Sequence, residues 1–485
     1  MTTCSHSYSN TIQKGRDSMK TQVTVRRLAS PHQKESFTQY LPLNQALKEE
    51  VFAAVKEIFD AAGGRALLKA SGDVYLKPNA VDCKAYSYTR PEVIEAAARY
   101  WRDNGARDIY LFENCTQGNF TRMVFAITGY SEICKRLGVK QVFLDEMDDT
   151  LFEFKGKKGE GEEAEGYATG SFNMPKFIVE RLIEGRDENL YISLPKLKTH
   201  SMADVTLGIK NQWAFPQQAD RRADHNYNLP HKLADVLGYV RPDFTLIEGV
   251  EATIHGHYPV TAFADTCVLP FQVLIASQNV VAADMVGARL FGMEAKDVPH
   301  IKIALARGYG QGVHSWDDID VIGDISDFTE VYQSDLLQRF PADVAILRGK
   351  ERLCREGCQN NPLTLLQVLG FDHGGKGGWT LIMGKGHDPA EIAAIQGKVL
   401  IAGHCAAAEV GDALVNRLGK KNVYFSGYCN DLCASINAMC HLMHVNPLVM
   451  APYPFAASMV LLAQGKLHGT KARVSFPFAH LMKVV

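Results

Sequence analysis

Apolar and polar positions alternate between two periods along most of this chain. Short apolar runs such as "DVYLKPNAV", "RDIYLFENC", "KQVFLDE" and "NLYISLPKL" read as buried strands. Between them lie segments with helical spacing. "TRPEVIEAAARYWRDNG" has Thr89 as a candidate cap, Pro91 in its first turn and Gly105 at its end. "TRMVFAITGYSEICKRLG" reads as one helix ending at Gly138, and "PKFIVERLIEG" as another. "VTLGIKN" alternates like a strand, "FTLIEGVEA" and "CVLPFQVLIASQ" read as strands, and "LPHKLADVLGYV" and "VVAADMVGARLFG" as helices. After a transition near 325–350 the alternation resumes. The strands are "WTLIM", "KVLIA", "NVYFS" and "PLVMAPY"; the helices are "AAAEVGDALVNRLG" and "NDLCASINAMCHLMHV". Strand and helix in strict alternation predict an α/β fold with mostly parallel, doubly wound sheets in two domains. The expected boundaries are a disordered leader over 1–20, a larger domain over 21–330 and a smaller, cysteine-containing domain over 340–485. "FKGKKGEGEEAEGYATG" (154–170) is expected to be a surface loop or hairpin.

The 485 residues carry a formal net charge of −2, which argues against a nucleic-acid binder or a membrane-surface protein. No apolar run approaches the roughly 18 residues of a spanning helix, and the polar N-terminus has no signal-peptide core. The expected location is the cytoplasm, with no nucleic-acid and no membrane partner. Eleven cysteines in a long chain read as metal ligands, redox thiols or buried packing groups before a disulfide scaffold.

Parallel sheets bind ligands at the carboxyl ends of their strands. That rule selects Lys77, Asn79, Glu113 and Asn114, and then the segment "PKLKTHSMADVTLGIKN", which gathers Lys196, Lys198, His200, Lys210 and Asn211. Lysines supply fixed positive charge, and histidine moves protons near neutral pH. The expected ligand is a small anionic substrate. Lys198, His200 and Lys210 are the catalytic candidates; Lys77, Asn79, Glu113, Lys196 and Asn211 are the substrate-binding candidates. "IEGVEATIHGHYP" adds Glu248, Glu251, His255 and His257, followed by Asp265, and its H-x-H pair is a weak metal signal.

In the second domain three strands end alike, in "GKGHD", "AGHC" and "SGYC". Glycine turns the backbone at the strand tip, which would bring His387, Asp388, His404, Cys405 and Cys429 to one sheet edge. Cys433 follows Cys429 by four residues, and "CREGC" repeats that spacing with Cys354 and Cys358. Cys354, Cys358, Cys405, Cys429 and Cys433 are therefore the metal-ligand candidates, for an iron–sulfur cluster or a single transition-metal ion. "FDHGGKGGW" lacks the order of a phosphate-binding loop and reads as a flexible loop near this edge. Buried packing is the expectation for Cys83, Cys115, Cys134, Cys267 and Cys440.

"LKPNAV", "TRPEVIEAAARYWRDNGARDIYLFE", "ISLPKLKTHSMADVTLGIKN", "NLPHKLADVLGYVRPDFTLIEGV" and "VVAADMVGARLFGM" together resemble the domain of unknown function 362 family, DUF362, over about 70–320. The resemblance implies that Lys77, Asn79, Lys198, His200, Lys210 and Asn211 belong to a family signature. It also implies iron–sulfur chemistry, although the ferredoxin cysteine run common in that family is missing from this sequence. More distantly, the lysine–histidine arrangement is similar to that of the nickel-pincer lactate racemases. The resulting expectation is a redox enzyme with an iron–sulfur or thiol centre, served by an electron-transfer protein. The alternatives are a metal-dependent isomerase or lyase of a hydroxy acid, with His200 and His255 or His257 on the metal, and a metal or cofactor assembly protein.

Overall fold

The structure is a computed structural model that describes residues 20–32, 36–154 and 170–484. The predicted leader and most of the 154–170 insertion therefore lie outside the described residues.

Strands β1 (Thr21–Arg27), β2 (Val74–Pro78), β3 (Ile109–Glu113), β4 (Lys140–Phe143), β5 (Asp149–Glu153), β6 (Ser171–Pro175), β7 (Leu190–Leu194), β8 (Lys196–His200), β9 (Asp204–Val205), β10 (Phe244–Thr253), β11 (Val268–Leu269), β12 (Val273–Ser277) and β13 (Ile319–Ile322) build the first domain. Its main sheet has the order β13-β1-β12-β10-β7-β2-β3-β4. Along that path β12 runs antiparallel to both neighbours, while the other pairings are parallel. The order reverses between β2 and β7, so the topological switch point falls there. Side chains alternate across the sheet and feed two cores. Tyr75, Tyr191, Ile247 and Ile275 join one, whereas Val74, Leu76, Ile192 and Leu274 join the other. Burial on both faces explains the near-continuous apolar strands. β5 and β6, which flank the insertion, pair antiparallel.

The second domain is a four-stranded parallel sheet, β14 (Val344–Arg348), β15 (Trp379–Met383), β16 (Lys398–Ala402) and β17 (Val423–Phe425), in sequential order. It too has a core on each face: Leu381 and Leu400 lie in one, Ile382 and Ile401 in the other. The architecture is α/β with mostly parallel sheets. No helix among the described residues is long and apolar enough to cross a membrane.

The chain then doubles back. Thr470 donates to Asp145 at 2.6 Å, the Gly118 amide donates to the Arg473 carbonyl, and Gly118 forms a parallel bridge with Val474. The last segment thus lies on the first domain, while Arg473 also pairs with Asp431 of the second.

Several sequence expectations need correction. "VTLGIKN" is not a strand: after the short β9 the chain forms the helix Leu207–Asn211. The amides of Gly208 and Ile209 donate to the Asp284 carboxylate at 2.6 and 2.7 Å, which caps the turn from a distant helix. A Cβ on Gly208 would meet Val280 at 2.6 Å, so the close approach requires glycine. "TRMVFAITGYSEICKRLG" forms two helices, Thr121–Ile127 and Tyr130–Leu137, broken at Gly129 with φ +81°. "PLVMAPY" is not a strand; Pro447–Met450 forms a 3₁₀ turn capped by Asn446. Thr89 is not a cap, since its hydroxyl donates to the Leu194 carbonyl and Arg90 holds the cap position.

Candidate functional site

Period-2 geometry puts Lys196, Lys198 and His200 on one face of β8. The three lie in different surroundings. Lys196 is fully buried and donates to both Glu248 oxygens at 2.8 Å, with Glu251 at 3.5 Å. Arg90 completes this set by pairing with Glu251, and His32 touches Glu251 at 2.8 Å. Two cations and two carboxylates thus neutralise each other inside the domain, and Lys196 does not reach the cavity. Lys198 donates to Asn79 Oδ1 at 2.8 Å and to the Ser87 carbonyl, behind the cavity wall. His200 lines the cavity itself.

That cavity, about 140 Å³, sits beyond the carboxyl ends of β2 and β3 and close to the switch point. Lys77 lies on its floor and donates to Glu113 at 3.0 Å and to Asn211 Oδ1 at 3.2 Å. Asn79 also donates to Asn211 Oδ1, at 3.1 Å. Asn211 in turn donates to Ser193 Oγ at 3.0 Å, which fixes the helix carrying Lys210 against the sheet. The opposite wall comes from the second domain, through Asn361, Leu365, Asn430 and Ile436. The ligand space therefore lies at the junction of the two domains.

Lys210 faces this space. Among the described residues its ammonium has neither a hydrogen-bond nor an ion-pair partner. Burial, then the nearby Arg221 and Lys77, push it down to about 7. Arg221, also in the wall, donates to the carbonyls of Pro216, Asn114 and Cys115 and has no carboxylate partner among the described residues. Lys77, Lys210 and Arg221 outnumber the lining carboxylates Glu113 and Asp82, so the cavity carries a net positive charge that an anion would balance. Buried polar atoms complete the lining: among the described residues Asn430 Nδ2, Asn114 Oδ1 and Gln117 Oε1 have no hydrogen-bond partner.

The imidazoles here are neutral. Burial, and then the neighbouring His257, hold His200 well below its ordinary range, and burial puts His225 at about 3. The Met202 amide donates to His200 Nδ1 at 3.1 Å, so the ring proton lies on Nε2. His257 stacks on His200 with centroids 3.8 Å apart. His255 points elsewhere, to the Asp335 carbonyl, and Asp265 binds Ser36 and the Phe37 amide.

Anion binding is expected to follow the charge on Lys210. The amine is protonated below its pKa, so acetate affinity should fall about tenfold between pH 6 and pH 8, as titration calorimetry would show. A flat profile would remove Lys210 from the contact.

At the second domain's sheet edge, Gly384, Gly386, Gly403 and Gly427 take positive φ, so the backbone turns at each strand tip. His404 lies between two thiols, 3.7 Å from Cys405 Sγ and 4.0 Å from Cys429 Sγ. Cys358 packs on Gly403, where an added Cβ would meet its Cβ at 3.1 Å. Burial and then the neighbouring thiols Cys354 and Cys405 push Cys358 up to about 11. Burial and the other three thiols push Cys429 up to about 12. Cys354, Cys358, Cys405 and Cys429 therefore form one group, with Arg352 as a cation beside Cys354. Cys433 is buried instead beside Arg473, Asp431 and Ser475. Asp388 caps the helix Pro389–Ala394, and the His387 amide donates to Glu409. Among the described residues no three His, Cys, Asp or Glu converge tightly enough for a single ion. A cluster spreads its thiolates around a larger body, and a Cys₄ set is its usual ligand inventory.

Cavity and thiols adjoin. His225 in the cavity wall donates from Nδ1 to Asn226 Oδ1 at 2.6 Å, and Asn226 Nδ2 donates to the Cys429 carbonyl at 2.6 Å. Cys429 and Asn430 both take positive φ, +43° and +73°, so the backbone turns sharply from the thiol to the cavity.

Residues 74–289 match the family model described as "Domain of unknown function (DUF362)". The match holds all the first-domain candidates from Lys77 to Asn211, together with Arg221, His225 and Asp284. The thiol group lies outside the DUF362 segment. A thylakoid-associated protein of Synechocystis is 24% identical over 266 residues, 51% of this chain and 72% of its own length. A crystal structure of a Thermotoga maritima protein is 11% identical with a TM-score of 0.32, covering 82% of this chain and 92% of that one, a likeness that carries no argument.

Sequence reasoning did not single out Arg221, His225, Asn226 or Asn430. The polar run "RRADHNYN" after the apolar "WAF" was the available signal for the first three.

Proposed function

We propose that this chain is a redox enzyme that binds a small anionic substrate at Lys210 and Arg221 and holds an iron–sulfur cluster on Cys354, Cys358, Cys405 and Cys429. The observation that carries the reading is the joint between the two sites: a cavity with unpaired cations is linked through His225 and Asn226 to the backbone of Cys429. A cluster bound there would supply one-electron transfer.

The chain's own residues supply the rest. Lys210 and Arg221 neutralise the charge of the substrate and of any charge that develops on it. His200, neutral with its proton on Nε2, is a hydrogen-bond donor at the cavity wall, and Lys210, held at about 7, is the candidate proton source. Lys77, Glu113, Asn79 and Asn211 hold the Lys210 helix in place. Cys354, Cys405 and Cys429 are only partly buried, which leaves that edge open to an electron-transfer partner. A cytoplasmic setting, where thiols stay reduced, is part of this reading.

The test is anaerobic purification with iron and acid-labile sulfide analysis. About four of each per chain, or two of each for the smaller cluster, are expected. Cys405→Ser and Cys429→Ser should each lose most of the iron, and Cys440→Ser should keep it. Iron-free protein after anaerobic reconstitution, or iron retained by both serine variants, would overturn the ligand set.

A further inference from the structure

A second cavity, about 230 Å³, lies against the first. Asp82, Gln117, Tyr258, Ile436 and Met450 line both, so the two spaces share one wall. Their characters differ. The first holds Lys210, Arg221 and unpartnered polar atoms, whereas the second is walled by Phe120, Met123, Val449, Phe455, Met459 and Leu462. Asp82, the acid at the shared wall, is already engaged: it accepts from the Cys83 amide and from Asn119 Nδ2 at 3.0 Å, with the Tyr258 hydroxyl at 3.5 Å. Gln117 Oε1 at the same wall is buried and, among the described residues, without a hydrogen-bond partner.

Val449, Phe455 and Met459 in its wall are 52%, 54% and 44% exposed, so this space is an open apolar groove rather than a sealed void. Exposed apolar surface gathered in a concave groove favours apolar groups of a ligand. Its walls come from separate parts of the chain, the helix Thr121–Ile127 of the first domain and the segment from Pro447 through the helix Phe455–Leu467 of the second.

Building on the anionic-substrate reading above, we propose that the substrate is amphipathic: its oxyanion head sits at Lys210 and Arg221, and its apolar body passes Tyr258 and Met450 into the second cavity. The substrate class is thus an acid, carboxylate or phosphate ester, with a hydrocarbon chain or ring system of moderate size. Specificity divides accordingly, with charge read in one chamber and apolar length in the other.

The experiment is titration calorimetry with straight-chain carboxylates from acetate to decanoate, with decyl phosphate as a second head group and decanol as a chargeless control. Affinity should rise by roughly three orders of magnitude from butyrate to decanoate, which differ by six methylenes. Ala451→Trp, which places a ring in the second cavity, should erase that rise and leave butyrate unchanged. The stronger of decanoate and decyl phosphate identifies the head group. Should Ala451→Trp fail to fold, the chain-length series on the unaltered protein decides alone. Short carboxylates that bind with no gain from chain length would overturn the amphipathic substrate and leave the anion site standing. Decanol binding as tightly as decanoate, with Lys210→Met without effect, would overturn the anion site itself.

Discussion

Lys196→Met is expected to lower the free energy of unfolding by about 3–5 kcal/mol, the range for removing one partner of a buried ion pair. Lys196, Glu248, Glu251 and Arg90 are each no more than 1% exposed, and together they are electrically neutral. Against the cost of burial, Arg90 and then Lys196 hold Glu251 well below the usual carboxylate range. Methionine keeps the bulk of the side chain but leaves two buried carboxylates facing one guanidinium. Glu248 also accepts from the amides of Arg90 and Val250, so it cannot turn away without breaking those bonds. Urea unfolding measures the loss. The double variant Lys196→Met/Glu248→Gln should recover part of it, because the charges leave in pairs and the amide oxygen still accepts from a backbone amide. A single variant of unchanged stability that lost anion affinity would instead place Lys196 in the ligand site.

Acid should weaken the fold before its carboxylates titrate. Burial pushes His225 and His300 to about 3, and His200 and His257 also lie well below their ordinary range. An unfolded chain protonates its histidines near 6.5. Below that pH the unfolded state binds more protons than the native one, so stability falls as pH drops from about 6.5 toward 3. At pH 5, His225 and His300 alone account for roughly 4 kcal/mol relative to pH 7, a large part of a typical domain's stability. His300 is the sharper case: it is fully buried, and among the described residues neither ring nitrogen has a hydrogen-bond partner. Urea midpoints at pH 7 and pH 5 should differ clearly, and His300→Phe should narrow the gap. Equal midpoints would mean that the native rings take up protons freely.

The α/β alternation and the strand-tip positions were legible because both follow from local pattern. Buried parallel strands read as apolar runs, and the glycines of "AGHC" and "SGYC" marked where the chain turns at the sheet edge. What local pattern could not supply was partnership. Lys196, Lys198 and Lys210 look alike in sequence, yet one is matched by carboxylates more than fifty positions away, one by an amide and a carbonyl, and one by nothing among the described residues. The Lys210 helix was misread as a strand because its cap, Asp284, comes from another element and its tight packing depends on Gly208. Cys433 shares its spacing with a thiol pair, but its helix presents it to Arg473 and Ser475. Arg221 and His225 sit in a polar run whose importance lies in what surrounds it.

The returning C-terminal segment has a mechanical consequence. The two domains are connected by the chain near 323–343, by Lys471 to Ser475 lying on Asp145 and Gly118, and by bonds such as Arg355–Asp204, Asn360–Ser201 and Lys84–Asp372. A hinge needs one pivot; attachments at several separate places act as a clasp. Swinging the domains apart at the cavity would require the attachments beyond the linker to be peeled away, at the expense of their hydrogen bonds. Any exchange that needed the domains to part would have to break these bonds, whereas exchange through side-chain motion would not.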